Sequence, residues 1–396
     1  MVGLIKKLIR LLLTMMQRAL IVLLPVRKKV IVFESSVGRS YSGNPKAIYE
    51  ELIKQGLDRQ FICVWSLDDV SIAIPGKCIK VRRTRLKYLY YVSVAGYWVM
   101  DSRHPYYIKK RKNTVFIQTW HGTPLKKLGL DMHVLNMNGK TNLDRYKKEF
   151  KKSAQSWDYL ISQNRYSSKI FPGAFGYSGP IWEIGYPRND VLVGRDNDNS
   201  KIESKRKLGF NPSQFVILYA PTWRDDRYCG VNIYTLDIPD SIIALANKFQ
   251  VIVLIKAHYL VRTDKDIDFP NVRIFGNEVD VQALMLASDI LITDYSSVMF
   301  DFSILKRPIV FYMYDYDHYE TNLRGFYFDI RQHAPGPVAT TEIQLIDSVS
   351  QILYSPEVYW KQYGDKYRLF CEKFNHADKG DAAQKVVHFL ITGSIE

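Results

Sequence analysis

The sequence predicts an α/β protein of two parallel-sheet domains that face each other across a cleft, preceded by a basic apolar helix. Three observations predict it. Short β-rich apolar runs alternate with longer helix-like stretches through most of the 396 residues, the order that a parallel sheet with helical crossovers requires. A polar passage divides that pattern into two similar halves. The first 29 residues stand apart, with seven basic residues and no acidic one.

That opening segment reads MVGLIKKLIRLLLTMMQRALIVLLPVRKK. The uncharged runs on either side of Arg18 are seven and eight residues long, too short to span a bilayer without burying Arg18 at mid-depth. A helix lying in the membrane interface is the expectation. An ordinary packed helix and a cleaved signal are the alternatives, although no small-residue cleavage pattern precedes Pro25.

The candidate strands of the first half are VIVF (30–33), FICVW (61–65), YWVM (97–100), VFIQ (115–118) and DYLI (158–161). Those of the second half are FVILYA (215–220), VIVLI (251–255), VRIF (272–275), DILIT (289–293) and PIVFY (308–312). Continuous apolar runs of this length suit strands covered on both faces. The expected organisation is a helix over 1–29, a first domain over 30–186, a polar interdomain passage over 187–211, a second domain over 212–375 and a closing helix over 376–396.

Charge narrows the partner. The net charge is +15, and residues 1–150 carry 28 Lys and Arg against 10 Asp and Glu, whereas the remainder carries 27 against 30. Such asymmetry points to an extended anionic partner, either nucleic acid or an anionic membrane face. No nucleic-acid-binding module is recognisable, so a nucleic-acid partner is not expected. The four cysteines, Cys63, Cys78, Cys229 and Cys371, have no zinc-like spacing and fit a reducing compartment.

Chemistry-bearing residues cluster just after predicted strands, where ligand groups gather in α/β sheets. Thr119-Trp120-His121-Gly122-Thr123-Pro124-Leu125-Lys126 follows VFIQ. His121 there is a cleft-facing proton acceptor or a core histidine bonded to backbone. Lys256-Ala257-His258 follows VIVLI and reads as a phosphate-binding tip or a solvated loop. After DILIT, Ser296 and Ser297 open a helix whose free N–H groups and hydroxyls can bind phosphate, and Asp301 is placed to accept from a ribose-like diol or to cap that helix. Ala220-Pro221-Thr222-Trp223-Arg224-Asp225 and Gly185-Tyr186-Pro187-Arg188-Asn189-Asp190 are turns that each offer an arginine to a diphosphate.

In series, TWHGTPLK, GYPRND, YAPTWRD, KAH and TDYSSVMFD resemble the signature of the CDP-glycerol glycerophosphotransferase family of teichoic acid synthesis. The resemblance implies a GT-B-like fold of two Rossmann-like domains. The first would take the acceptor and the second CDP-glycerol. It implies His121 as the general base and His258, with Lys256, as the group that neutralises the donor diphosphate so that CMP can leave. Trp120, Gly122, Thr123, Pro124, Arg188, Pro221, Thr222, Ala257, Ser296, Ser297 and Asp301 would complete the substrate site. Many relatives carry Pro where this chain has Ala257. The implied acceptor is a polyprenyl-diphosphate-linked disaccharide, the reaction a single priming addition, and the location the cytoplasmic face of the cell membrane, peripherally attached. A second-unit, poly(glycerol phosphate) or ribitol phosphate transferase and a nucleotide-sugar glycosyltransferase are the alternatives. No metal is expected to be required, with Mg²⁺ only assisting at the donor diphosphate.

Overall fold

The computed structural model describes residues 2–134, 142–222, 238–256, 269–276, 279–317 and 325–395. Thirteen strands in these residues form two sheets, all of whose pairings are parallel. The first sheet contains β1 (Arg27–Glu34), β2 (Ile62–Leu67), β3 (Cys78–Arg82), β4 (Ala95–Met100), β5 (Val115–Gln118), β6 (Tyr159–Ser162) and β7 (Ile181–Glu183). Its order is β3-β2-β1-β4-β5-β6-β7. The second contains β8 (Val216–Ala220), β9 (Ile252–Lys256), β10 (Val272–Phe275), β11 (Ile290–Thr293), β12 (Ile309–Tyr312) and β13 (Val338–Ala339), in the order β10-β9-β8-β11-β12-β13.

Both sheets reverse direction of growth at their first strand, between β1 and β4 and between β8 and β11. Such a switch point opens a crevice at the carboxyl ends of the strands, where ligands bind. All ten strand candidates are strands. The additional β3, β7 and β13 lie at sheet edges. A strand covered on one side only need not be a continuous apolar run, which is why CIKVR, IWE and VA escaped a search for such runs.

The polar passage holds more structure than its composition suggests. Asp198–Lys207 is a helix, fixed to the second domain by Lys205, whose buried ammonium bonds Asp289 at 2.7 Å and the carbonyl of Gln214 at 2.7 Å. The chain ends by crossing between domains. Helix Pro356–Phe374 packs Tyr367, Phe370 and Phe374 into the second core. Helix Ala382–Thr392 then returns to the first, where Phe389 meets Tyr159 and Trp182 at ring distances of 4.9 and 4.8 Å.

The N-terminal helix covers Val2–Leu23. One face docks: Leu13 and Leu20 pack on the first core, and the buried Gln17 exchanges two hydrogen bonds with the main chain of Lys109, at 2.9 and 3.2 Å. The other face leaves Leu8, Leu11, Leu12 and Met15 more than half exposed. Among the described residues no helix is long and apolar enough to cross a membrane.

Candidate active site

The loop after β5 is shaped by a backbone reversal at Trp120, whose φ is 52°. For a side chain this large the left-handed region costs about 1–2 kcal/mol, and persists only where the surroundings over-determine it. They do so here. Gln118 Oε1 accepts the Trp120 N–H at 3.0 Å. Asn44 Nδ2 donates to the carbonyls of Thr119 and Trp120 at 3.1 and 2.9 Å, while its Oδ1 accepts the Arg188 N–H at 3.1 Å. The indole stays buried against Phe175, and the ring of His121 stacks on it at 4.3 Å and 25°.

His121 is exposed to solvent in the cleft, yet crowded by protein around it. Its Nδ1 lies 2.9 Å from the Asp101 carbonyl. A carbonyl only accepts, so Nδ1 carries the proton and Nε2 keeps its lone pair. The protein packed around the ring, the largest influence, disfavours its charged form and lowers the imidazole pKa below its ordinary value, and the Arg188 charge lowers it further. The Asp101 carboxylate and carbonyl oppose them without reversing the direction. The result is a neutral ring with one free basic nitrogen, the form that general-base work needs. The Asp101 carboxylate that stands behind it accepts from Ser35 Oγ, Ser36 N and Ser102 Oγ, at 2.8, 2.8 and 2.6 Å.

The two domains meet at this loop. A methyl group on residue 122 would stand 2.7 Å from the Ser297 hydroxyl oxygen and 3.2 Å from its Cβ, so a larger residue here would make the serine hydroxyl rotate and the two loops ease apart slightly. Arg188 donates from Nη1 to the His121 carbonyl at 3.0 Å and from Nη2 to Asp301 at 2.6 Å. The other Asp301 oxygen accepts from Asn189 at 2.9 Å and Gln163 at 3.2 Å. Asp301 is therefore sealed, with both oxygens engaged, and is not presented to a ribose-like diol. Arg188 likewise faces this carboxylate instead of an open diphosphate site. The physical reason is the close approach of the domains, which desolvates both groups and makes each the other's necessary partner.

Thr123 and Pro124 are buried behind the loop. Thr123 donates to Gln163 Oε1 at 2.6 Å and accepts from Asn164 at 2.9 Å, and the Pro124 carbonyl accepts from Tyr166 at 2.9 Å. On the second domain, Pro221 and Thr222 follow β8, and Asp294 accepts the Thr222 N–H at 2.8 Å. This joins them to the Ser296-Ser297 turn after β11. Both serines are half-buried, and the Ser297 side chain makes no capping bond to the short helix Val298–Phe302. Lys256 ends β9 and bonds the carbonyls of Gly276 and Val279. Ala257, His258 and Arg224 lie outside the described residues.

Sequence reasoning passed over Asn44, Asp101, Gln163, Asn189 and Asp378. Asn44 carried a signal, as the centre of a Ser-Gly-Asn-Pro turn. Asp378 lies just before the last helix, Ala382–Thr392. It is buried, accepts from Gln163 at 3.0 Å and from the Tyr186 N–H at 3.1 Å, and lies near Asp301. Burial first, then the Asp301 charge, raise its pKa to about 7. Among the described residues no group of three His, Cys, Asp or Glu is placed to hold a metal ion.

Comparison with known proteins places this geometry. The chain is 40% identical over 379 residues to a teichoic acid poly(glycerol phosphate) polymerase of Bacillus spizizenii, covering 93% of each. It is 40% identical over 365 residues to a teichoic acid glycerol-phosphate transferase of Staphylococcus aureus, covering 91% of this chain and 92% of the relative. A teichoic acid glycerol-phosphate primase of Bacillus subtilis is 31% identical over 295 residues, 72% of this chain and 69% of the primase. The solved wall teichoic acid polymerase TagF superposes with a TM-score of 0.85 at 38% identity, over 97% of this chain and 93% of that one. The sequence model of the family described as CDP-Glycerol:Poly(glycerophosphate) glycerophosphotransferase matches residues 15–392. The chain belongs to that family of transferases.

Proposed function

We propose that this protein moves glycerol phosphate from CDP-glycerol to a hydroxyl of a lipid-linked saccharide at the cytoplasmic membrane surface, and that it extends an acceptor already carrying glycerol phosphate. One observation carries the mechanism: His121 Nδ1 lies 2.9 Å from the Asp101 carbonyl, which leaves Nε2 free as a base at the point where the domains meet. The acceptor hydroxyl gives its proton to Nε2 as its oxygen attacks the phosphorus that bears glycerol. The new O–P bond forms, the bond from that phosphorus to the bridging oxygen breaks, and CMP leaves with the electron pair. Such a transfer asks the protein for positioning and charge stabilisation more than for covalent chemistry.

Donor contacts are assigned to Pro221, Thr222, Ser296 and Ser297, with His258 and its neighbour Lys256 at the diphosphate, as the family resemblance implies. Arg188 and Asp301 act behind them by holding the His121 loop against the second domain. No metal is required in this scheme, and turnover is expected to survive excess chelator.

Extension is favoured over priming by the 40% identity to a polymerase and a transferase over nine-tenths of the chain, against 31% to a primase. TagF has also been solved after a CDPG soak, which favours the same donor here. The exposed apolar face of the N-terminal helix supports peripheral attachment, because a face of this size left in water marks a membrane or partner surface. The deciding experiment incubates the full chain with CDP-glycerol and two lipid-linked disaccharides, bare and singly primed, and reads product masses. Addition only to the primed acceptor is expected. Addition only to the bare one would return the protein to the primase role, and no CMP release from either would remove the proposed activity.

A further inference from the structure

A cavity of about 1030 Å³ opens beside His121 within the first domain. It runs from Trp120 and His121 to the segment around Tyr106 and Lys109, against which the N-terminal helix docks. Its floor is apolar, with Ile108, Met132, Tyr146 and Phe150, and its rim is cationic. Six basic residues line it against one acid, Glu149, which Arg145 already pairs at 2.9 Å. Lys110 is paired with Asp158 at 2.8 Å, and Arg103 lies over the rings of Tyr146 and Phe150. Lys109, Lys148 and Lys152 have no acidic partner within ion-pair distance among the described residues.

Three exposed ammonium groups without an acidic partner give the rim of this cavity a positive potential that favours an anionic ligand. Lys148 and Lys152 are four residues apart on helix Leu143–Ala154, about 6 Å along the axis, so they can meet a diphosphate or two neighbouring phosphodiesters at once. The apolar floor suits the carbon chain between or beyond such groups. The proposed donor occupies the cleft on the second domain's side, which leaves this side of His121 to the acceptor.

We propose that this cavity is the acceptor's phosphate subsite, with Lys109, Lys148 and Lys152 gripping phosphate groups on the acceptor while its free hydroxyl reaches His121 Nε2. The inference rests on the functional reading above. It names what that reading leaves open, the part of the acceptor that is recognised.

The test compares wild type, Lys148→Gln/Lys152→Gln, Lys109→Gln and, as a control from the same helix but outside the cavity, Lys151→Gln. Three ligands are compared: an acceptor bearing glycerol phosphate but no lipid diphosphate, read by its KM, and a saccharide bearing the lipid diphosphate but no glycerol phosphate and a neutral saccharide, both read as competitive inhibitors of that acceptor. For the double variant the KM of a phosphate-bearing acceptor should rise roughly tenfold, the loss expected when charge-assisted contacts go. The KM for CDP-glycerol should stay within about twofold, since the donor does not enter the cavity. An effect confined to the first ligand names phosphodiesters as the group bound, and one confined to inhibition by the second names the lipid diphosphate. Unchanged acceptor KM and unchanged inhibition in both lysine variants, or an equal effect with Lys151→Gln, would overturn the subsite. Direct titration of a glycerol phosphate oligomer into wild type and double variant, without donor, reads the site independently. A wild type that binds the oligomer but releases no CMP would condemn the functional reading and leave the subsite standing.

Discussion

Arg188 and Asp301 form a 2.6 Å ion pair where the two domains touch, and the same guanidinium holds the main-chain carbonyl of His121 at 3.0 Å. One buried contact thus ties the domain boundary to the position of the basic histidine. Removing one partner of a buried pair leaves the other charge uncompensated, which costs about 3–5 kcal/mol. Asp301→Ala should lower the stability in denaturant by that order and reduce kcat with it. Asp301→Asn, whose single amide oxygen keeps either the Arg188 bond or the bonds from Asn189 and Gln163 but not both, should recover only part of the loss. Equal stability of Asp301→Ala and wild type would mean that the pair does not hold the domains.

His121→Ala should slow transfer by about 10²–10⁴-fold, the usual contribution of a positioned acid or base, while CDP-glycerol binding by calorimetry stays near wild type. The wild-type acid limb of kcat/KM should fall at a pH below the ordinary histidine value of about 6.5, because the protein packed around the ring and Arg188 both disfavour the imidazolium. An acid limb above that value would contradict the neutral-ring assignment.

Asn44 bonds three main-chain groups around the His121 loop. Asn44→Ala leaves at least two buried carbonyls and one N–H without this partner, at about 1–3 kcal/mol for an unsatisfied group. Its effect should appear in kcat more than in either KM, since it frees Trp120 from its left-handed backbone and lets His121 wander. A change in KM for CDP-glycerol alone would point to donor binding instead.

Asp378 predicts a pH dependence of stability with a definite sign. Its native pKa of about 7 lies above the unfolded value of about 3.9, so the native state binds the extra proton. The stabilisation is complete below about pH 4 and is lost as pH rises through 7. The difference in unfolding free energy between wild type and Asp378→Asn should therefore move against wild type across that window and flatten above it. A constant difference from pH 4 to 8 would show that Asp378 titrates normally.

The exposed face of the N-terminal helix gives the last test. Replacing Leu8, Leu12 and Met15 together by Gln removes large apolar groups that touch little protein, so stability should change by less than about 0.5 kcal/mol per site. Sedimentation with anionic vesicles should weaken by roughly tenfold or more, because interfacial binding scales with buried apolar area. Undiminished sedimentation would exclude this face as the contact.

The sequence by itself determined the central strands, the α/β class, the loops that carry His121, Ser296 and Ser297, and the basic apolar character of the first helix. Each is written in local pattern: a buried strand is a continuous apolar run, and the loop at its end is where polar residues return. Only the tertiary structure decided what those loop residues face. Asp301 reads the same in sequence whether it meets a sugar or an arginine, and Arg188 the same whether it meets a phosphate or a carboxylate. Which is true depends on how closely the two sheets approach, which the close passage of Gly122 by Ser297 reflects. The edge strands β3, β7 and β13 were hidden for a related reason. Each pairs with the strand just before it in the chain and occupies a sheet edge, where pairing on one side holds a short strand that has no continuous apolar run of its own.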